Sequence, residues 1–386
     1  MLGDLAPDPR LAALGELDIM GTPPEERFDR ITRMAKDLFG VALAEIHFLD
    51  ETTLFTKSPQ VPGWPLEYPR AGTFCDATLR EQRMLVIPDL ETDGEFSAHE
   101  NVAGAPHVRF YAGRPLIVEA DLAVGTLCLL DFVPRQLTAD QEALLDELGD
   151  WVERELRDRI ERDRAVDVQL RLAPADETHP AGYEFSGLSI PMRGLAGDFY
   201  SWRGGDVVDL TLVDVMGKGT AAAIVGAGVR AAFHARTGSS ATDAVSAVNE
   251  QLLDDFAATG TFATLFHARL ETETGRLSFV DAGHGLSVLL RPDGSFQRLA
   301  SLGLPLGIAP EGGWVDQTVE LAPGDSLVSF TDGLLDLYDG TLDSLTEATE
   351  LARSCGSTEE FFAAIRALAD SGKALDDITV LVVTRT

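Results

Sequence analysis

Between residues 206 and 333 the chain alternates apolar and polar residues in five runs: DVVDLTLVDV (206–215), TFATLFHARL (261–270), RLSFVDAG (276–283), LSVLL (286–290) and DSLVSFTDG (325–333). A period of two sends successive side chains to opposite faces, so each run reads as a strand. ETETG at 271–275 is a turn that joins two of them as a hairpin. Helical spacing fits 219–236, 240–257, 344–353 and 357–369. Strands paired through hairpins, with helices grouped between them, imply a layered α/β sandwich rather than a doubly wound sheet.

At 386 residues the chain exceeds one ordinary core. Residues from about 10 to 135 read as a separate α+β domain. Phe28, Ile31, Met34, Ala35 and Leu38 repeat at helical spacing, ahead of strand-like VALAEIHFLD (41–50), MLVIPDL (84–90), HVRFYAGRPLIV (107–118) and LAVGTLCLLD (122–131). That order suggests a sheet with helices to one side. Thr138 and Gln141 then form a capping box ahead of Leu145, Leu148, Val152, Leu156 and Ile160. Such a stripe serves equally as an interdomain signalling helix, as a dimer seam, or as a helix lying on its own domain. A loop, LAPADETHPAG at 172–182, closes the connection. The expected domains are therefore 10–136, a linker helix 137–165, and 166–386.

A net charge of −32 without any Lys/Arg-rich run makes nucleic acid and anionic membranes poor partners. Cys75, Cys128 and Cys355 lie far apart without metal-type spacing, which suits a reducing cytosol. MLGDLAPDPR is unlike a signal peptide, and the longest apolar run, around Ala221 to Val229, soon meets Arg230. A soluble cytoplasmic protein is the expectation.

Four aspartate positions of the second domain share one grammar: Asp198 in LAGDFY, Asp214 in DVMGKG, Asp332 in TDG, and Asp376–Asp377 in DDIT. Each stands at the edge of an apolar strand. One Asp beside a Gly is usually a turn former, but four such sites are harder to dismiss. Carboxylates brought together repel unless a cation neutralises them, and an oxygen-only donor set selects Mg²⁺ or Mn²⁺ over zinc. Two such ions about 3.5–4 Å apart clamp a phosphoryl group for in-line attack. Gly217 and Gly219 let the backbone come close to an ion, and the Val215 carbonyl is a candidate ligand.

LAGDFY, DVMGKG, AGHG, GLPLG, GDSLVSFTDGLLD and DDITVLVV, in this order over nearly all of 166–386, resemble the metal-dependent, type 2C-like (PPM) protein phosphatases, in the bacterial SpoIIE/RsbU-like branch. The resemblance implies an α-β-β-α sandwich that hydrolyses phosphoserine or phosphothreonine with two Mn²⁺ or Mg²⁺ ions. Asp198, Asp214, Asp332 and Asp376 would be its catalytic set. Asp214 would bridge the ions and Val215 contribute its carbonyl. Asp332 and Asp376 would hold one ion each or jointly, and Asp198 would reach the second ion through water. Asp377 belongs to the candidate metal set, although Asp376 is the preferred direct ligand because the next position is often Asn. Asn249 and Thr264 occupy familiar places, yet suit a helix surface and a sheet pair equally well.

Ala196 replaces the first Gly of the branch's common GGD, and Met216 stands where animal-type members carry a His. Leaving-group protonation would fall to bound water or to Lys218. His284 in AGHG is expected to hold a strand turn. By resemblance the substrate would be a phosphorylated anti-sigma-factor antagonist of the STAS type, with the opposing kinase on another chain. The alternatives are a pseudophosphatase that only grips a partner, or a ligand sensor using the fold as scaffold. The complete acidic set favours turnover.

LDIMGTPPEERFDRITRMAKDLFGV, RAGTFCDATL, LVIPDLETDGEFS, VRFYAGRPL and GTLCLLD resemble a GAF domain of bacterial sensor proteins, over about residues 10–150. This implies an N-terminal GAF fold, a possible small ligand, and control of the phosphatase, with a homodimer through the linker helix as one route. Cys75 is a candidate for chromophore attachment or redox sensing, though a buried apolar role is preferred, and Cys128 reads as core. Arg109 and Tyr111 are candidates to line a pocket bordered by Asp76 and Thr78.

Overall fold

The first helices, α1 (Pro9–Glu16) and α2 (Glu26–Phe39), precede a hairpin of β1 (Leu43–Leu49) and β2 (Thr53–Thr56), extended by β3 (Glu67–Pro69). Then come α3 (Phe74–Glu81), β4 (Leu85–Ile87), the short α4 (Glu100–Ala103), β5 (Phe110–Glu119), β6 (Leu122–Asp131) and the long α5 (Ala139–Leu172). The computed structural model describes residues 8–119, 122–174, 180–192, 194–300, 303–341 and 343–386. Residues 1–7 of MLGDLAPDPR and 175–179 of the 172–182 loop thus lie outside the described residues. The chain divides into two compact units, Met1–Asp163 and Arg164–Thr386.

In the first unit the six strands form one antiparallel sheet in the order β3-β2-β1-β6-β5-β4. Ala44, Ile46 and Phe48 of β1 face a core shared with α1, α2 and α5. The opposite face of the sheet packs under α3, where Phe74, Cys75 and Leu79 meet Tyr111 and Cys128. Helices therefore cover both faces, not one as the sequence suggested, which is why β1 is buried along its whole length. Met34 and Leu38 of α2 are exposed, and Phe28, Ile31, Ala35 and Phe39 make the buried stripe. α2 ends at Gly40, whose φ of 58° lies in the left-handed region where glycine is unstrained.

The α5 stripe settles on its own domain. Leu145, Leu148, Val152, Leu156 and Ile160 are at most 5% exposed and belong to the α1–α2–β-sheet core. Arg114 of β5 reinforces the seat by pairing with Asp146 (2.9 Å), Asp150 (2.5 Å) and Glu153. The expected dimer seam is thus occupied within one chain. Leu156→Ala should leave a cavity in this core and lower the unfolding free energy of the first unit by about 3 kcal/mol, read by thermal or urea denaturation. An unchanged midpoint would place the stripe at another interface.

The second unit stacks two five-stranded antiparallel sheets. One has the order β14-β11-β10-β9-β8, the other β13-β12-β15-β16-β7. In chain order these are β7 (Tyr183–Ile190), β8 (Phe199–Gly204), β9 (Val207–Val215), α6 (Thr220–His234), α7 (Ala241–Thr259), β10 (Ala263–Glu271), β11 (Arg276–Ala282), β12 (Ser287–Leu290), β13 (Phe296–Arg298), β14 (Gln317–Glu320), β15 (Ser326–Phe330), α8 (Gly333–Asp336), α9 (Ser344–Ser354), α10 (Thr358–Leu368) and β16 (Ile378–Arg385). Val208, Leu210 and Leu212 of β9 point between the sheets, toward Phe266, Leu277 and Leu381. Val213 and Val215 point outward under α6 and α7. α8, α9 and α10 cover the outer face of the other sheet. This is the layered sandwich that the alternation implied, in the α-β-β-α form that the resemblance implied. Among the described residues no helix is long and apolar enough to cross a membrane.

Candidate active site

Antiparallel ladder register brings the aspartates together. β8 and β9 pair antiparallel with Phe199 opposite Val213, so Asp198, just before β8, comes level with Asp214 near the end of β9. In the second sheet β15 pairs with β16, Phe330 opposite Val380, so Asp332 just past β15 meets Asp376 and Asp377 just before β16. The Thr331 N–H donates to the Thr379 carbonyl at 2.9 Å and draws those two loops together. A Cβ on Gly333 would stand 2.1 Å from the Asp377 carbonyl, so only glycine fits after Asp332.

Asp377 stitches the two sheets at this end. It is 2% exposed, and its two carboxylate oxygens accept from the N–H groups of Met192 (2.7 Å) and Gly197 (2.9 Å). Asp376 instead turns outward and pairs with the Lys218 ammonium at 2.8 Å; Lys218 also donates to the Leu375 carbonyl. The neighbouring aspartates differ completely in surroundings.

Burial first, and mutual repulsion second, are written into the acidities. Burial, then the charges of Asp332 and Asp376, push the Asp214 carboxyl up to about 7. Burial and then Asp214 push Asp198 well above the usual carboxylate range. Asp332 is raised by burial and then by Asp376. Among the described residues, Asp198 Oδ2 is buried without a hydrogen-bond partner. Gly197 lies so close to α6 and β9 that a Cβ there would be 2.7 Å from Ala222 Cβ and 3.3 Å from the Val215 carbonyl oxygen. Orphaned carboxylate oxygen, clustered acids held partly neutral, and close main chain together form a hard-cation donor set. These residues fit a divalent ion.

The other candidates separate. Thr264 sits opposite Asp214 in the β9–β10 ladder. Asn249 is fully buried rather than on a helix surface. Its amide donates to the Ala309 and Pro310 carbonyls (3.0 and 3.2 Å), and its oxygen accepts from Gly307 (2.8 Å), tying α7 to the GLPLG loop. His284 closes the AGHG turn: its N–H and that of Gly285 donate to Asp281 (3.0 and 2.7 Å), and its ring lies 3.3 Å from Ser329. Burial lowers its imidazole to about 3, a poor acid at neutral pH. Thr331 escaped the sequence reading: its hydroxyl accepts from Thr379 N–H at 2.9 Å.

In the first unit, Arg109 turns away to the Val102 carbonyl (2.9 Å), and Asp76 pairs with Arg70 (2.7 Å). Tyr111 and Thr78 share a buried hydroxyl contact of 2.7 Å beside Cys75. Cys75 and Cys128, 53 residues apart in sequence and without metal-type spacing, nevertheless meet in space at His47. Cys128 holds the Cys75 thiol well below its ordinary range and, against the cost of burial, so does His47.

Residues 204–386 match the family model described as Stage II sporulation protein E (SpoIIE), and residues 23–156 match the GAF domain model. The chain joins a GAF domain to a SpoIIE-type domain. Protein IcfG of Synechocystis sp. is 25% identical over 213 residues, which is 47% of this chain and 34% of IcfG. The chain therefore spans about a third of that relative's length. Phosphoserine phosphatase RsbU of Bacillus subtilis is 24% identical over 249 residues, covering 61% of this chain and 72% of RsbU. The SiaA-PP2C domain of Pseudomonas aeruginosa has the same fold, with a TM-score of 0.50 and 22% identity, over 63% of this chain and 99% of that domain. The SpoIIE-type domain is homologous to serine/threonine phosphatases of the PPM class.

Proposed function

We propose that the SpoIIE-type domain hydrolyses phosphoserine or phosphothreonine on a protein, using two Mn²⁺ or Mg²⁺ ions, under control of the GAF domain. The observation that carries this reading is the convergence of Asp198, Asp214, Asp332 and Asp376, from both sheets, into one set in which burial and then neighbouring carboxylate charge hold the carboxyls of Asp198, Asp214 and Asp332 above their ordinary range. Asp214 would be shared by the ions, with the Val215 carbonyl, Asp332 and Asp376 as direct ligands and Asp198 acting through water. When bound, the ions supply charge neutralisation for the phosphoryl group and acidify water for in-line attack. Asp377, with both oxygens engaged by Met192 and Gly197, is a positioning residue that holds the Asp198 loop. Lys218, paired with Asp376, supplies a cation at the rim and is the candidate proton donor to the leaving group.

RsbU is a phosphoserine phosphatase by name, and the resemblance of the motif order to the SpoIIE/RsbU-like branch supports a phosphorylated anti-sigma-factor antagonist of the STAS type as substrate. Regulation finds support at the end of α5. The Gln169 amide donates to the Ala196 carbonyl at 2.7 Å and accepts from its N–H at 2.9 Å, two residues before Asp198. A small turn of this helix end would displace the Asp198 loop, so two states a few kcal/mol apart suffice for control.

Hydrolysis of a generic phosphoester should require added Mn²⁺ or Mg²⁺, and excess chelator should abolish it reversibly, because carboxylate sites hold such ions modestly. Full activity in excess chelator would overturn the two-metal reading. Absence of turnover with either ion, on phosphoester and phosphoprotein alike, would leave a partner-binding module instead.

A further inference from the structure

Strand β1 carries an anomaly for a strand buried on both faces. Its residues facing α3 include Glu45 and His47, each 7% exposed, beside the apolar residues that pack under that helix. Burying a carboxyl and an imidazole this deeply is unfavourable unless both are engaged. Glu45 lies 3.2 Å from His47 Nε2, which leaves Nδ1 for the other side of the ring. That side holds sulfur: Cys75 Sγ stands 3.7 Å from Nδ1. A ring nitrogen of His47 and the sulfurs of Cys75 and Cys128 all lie within 4.8 Å of one another.

Three independent elements build this group. His47 comes from β1, Cys128 from β6, and Cys75 from the first turn of α3. In the β1–β6 ladder Glu45 is opposite Cys128, so the two sit on one face beneath α3. The Thr73 hydroxyl caps α3 by accepting from Asp76 N–H at 3.1 Å, which fixes where Cys75 enters. The Tyr111 hydroxyl, 3.7 Å from Cys75 Sγ and itself bonded to Thr78, stands beside the set as an oxygen donor.

We propose that the GAF domain binds one thiophilic divalent transition-metal ion, zinc by donor class and charge, through His47, Cys75 and Cys128. Bond lengths of about 2.3 Å to sulfur and about 2.05 Å to nitrogen place tetrahedral S and N ligands about 3.6 Å apart, against 3.7 Å between Cys75 and His47. Two thiolates offset the charge of a divalent ion, so the ion and its three ligands together carry no net charge in a low-dielectric core, and three protein ligands leave a fourth position for a further donor. Glu45 behind the imidazole fixes the tautomer that presents Nδ1, as carboxylates behind metal-bound histidines do. Binding is accompanied by loss of the two thiol protons to solvent and involves no electron transfer. The site differs in donor class from the aspartate cluster, which offers oxygen alone.

The test uses the full chain, stripped with chelator under reducing conditions and titrated with Co²⁺ alone. One equivalent should produce a near-ultraviolet thiolate-to-cobalt charge-transfer band, and Zn²⁺ should bleach it. The oxygen-only aspartate set can bind Co²⁺ without giving that band. Cys75→Ser with Cys128→Ser should abolish the band, and His47→Gln should weaken Co²⁺ affinity at least tenfold while the band's sulfur origin persists. If the double variant fails to fold, the wild-type titration and His47→Gln still decide. A wild-type protein without the band, or a band that survives loss of both cysteines, overturns the proposal. So does recovery of one free thiol instead of three after denaturation of protein purified without reductant, which would mean a Cys75–Cys128 disulfide.

Discussion

Asp214→Asn is expected to lower phosphatase turnover on the order of 10³-fold, the upper range for losing one electrostatic group in an active site, while making the metal-free protein more stable at neutral pH. Burial and the charges of Asp332 and Asp376 raise the Asp214 carboxyl to about 7 from an ordinary 3.8. A carboxyl whose folded value lies above its unfolded value binds more protons in the native state. Its stabilising contribution is therefore complete below about 4 and is lost as pH rises toward about 7. Asparagine cannot ionise, so the variant should lose less stability over that window. At about 1.4 kcal/mol per unit, the gain in the apo protein at pH 8 is a few kcal/mol at most. Added Mn²⁺ should reverse the order, since an ion bound only by the native wild type stabilises it by mass action. Melting curves at pH 5 and 8, with chelator and with Mn²⁺, read all four states. Near wild-type turnover would mean that another carboxylate bridges the ions.

The convergence of the candidate aspartates was legible because its signals are local. Each aspartate adjoins a glycine or a strand end, and strand alternation reads directly as sheet faces in β9, β10 and β11. Short edge strands such as β3, β13 and β14 were not, because three or four residues carry too little periodicity. The α5 stripe was ambiguous for a different reason. An apolar seam specifies burial but not against what, and the Arg114 cluster that decides it lies more than 30 residues upstream. Asn249, Thr331 and the meeting of His47 with two cysteines depend on contacts across 28 to 81 residues, beyond any spacing rule. His47 alternates with Glu45 inside an apolar strand, and that interruption was the one available signal.

The paired aspartates offer the second large effect, a separation of ligand from scaffold within two adjacent residues. Asp376 carries a side chain one-third exposed, with Lys218 as its ion-pair partner. Asp376→Ala should therefore empty one ion site and abolish turnover while leaving the melting temperature of the metal-free protein unchanged or higher, because a repelling carboxylate is removed. Asp377 is buried, and its loss strands the N–H groups of Met192 and Gly197. An unsatisfied buried donor costs about 1–3 kcal/mol, so Asp377→Ala should destabilise the SpoIIE-type domain by about 2–5 kcal/mol with or without metal. Asp377→Asn keeps one acceptor oxygen but replaces the other with an amide donor facing an N–H, so its loss should fall between those of wild type and the alanine variant. Calorimetric titration with Mn²⁺ beside denaturation of the same three variants separates the roles. If Asp377→Ala melts like wild type yet fails to bind Mn²⁺, while Asp376→Ala binds normally, the assignments of ligand and scaffold must be exchanged.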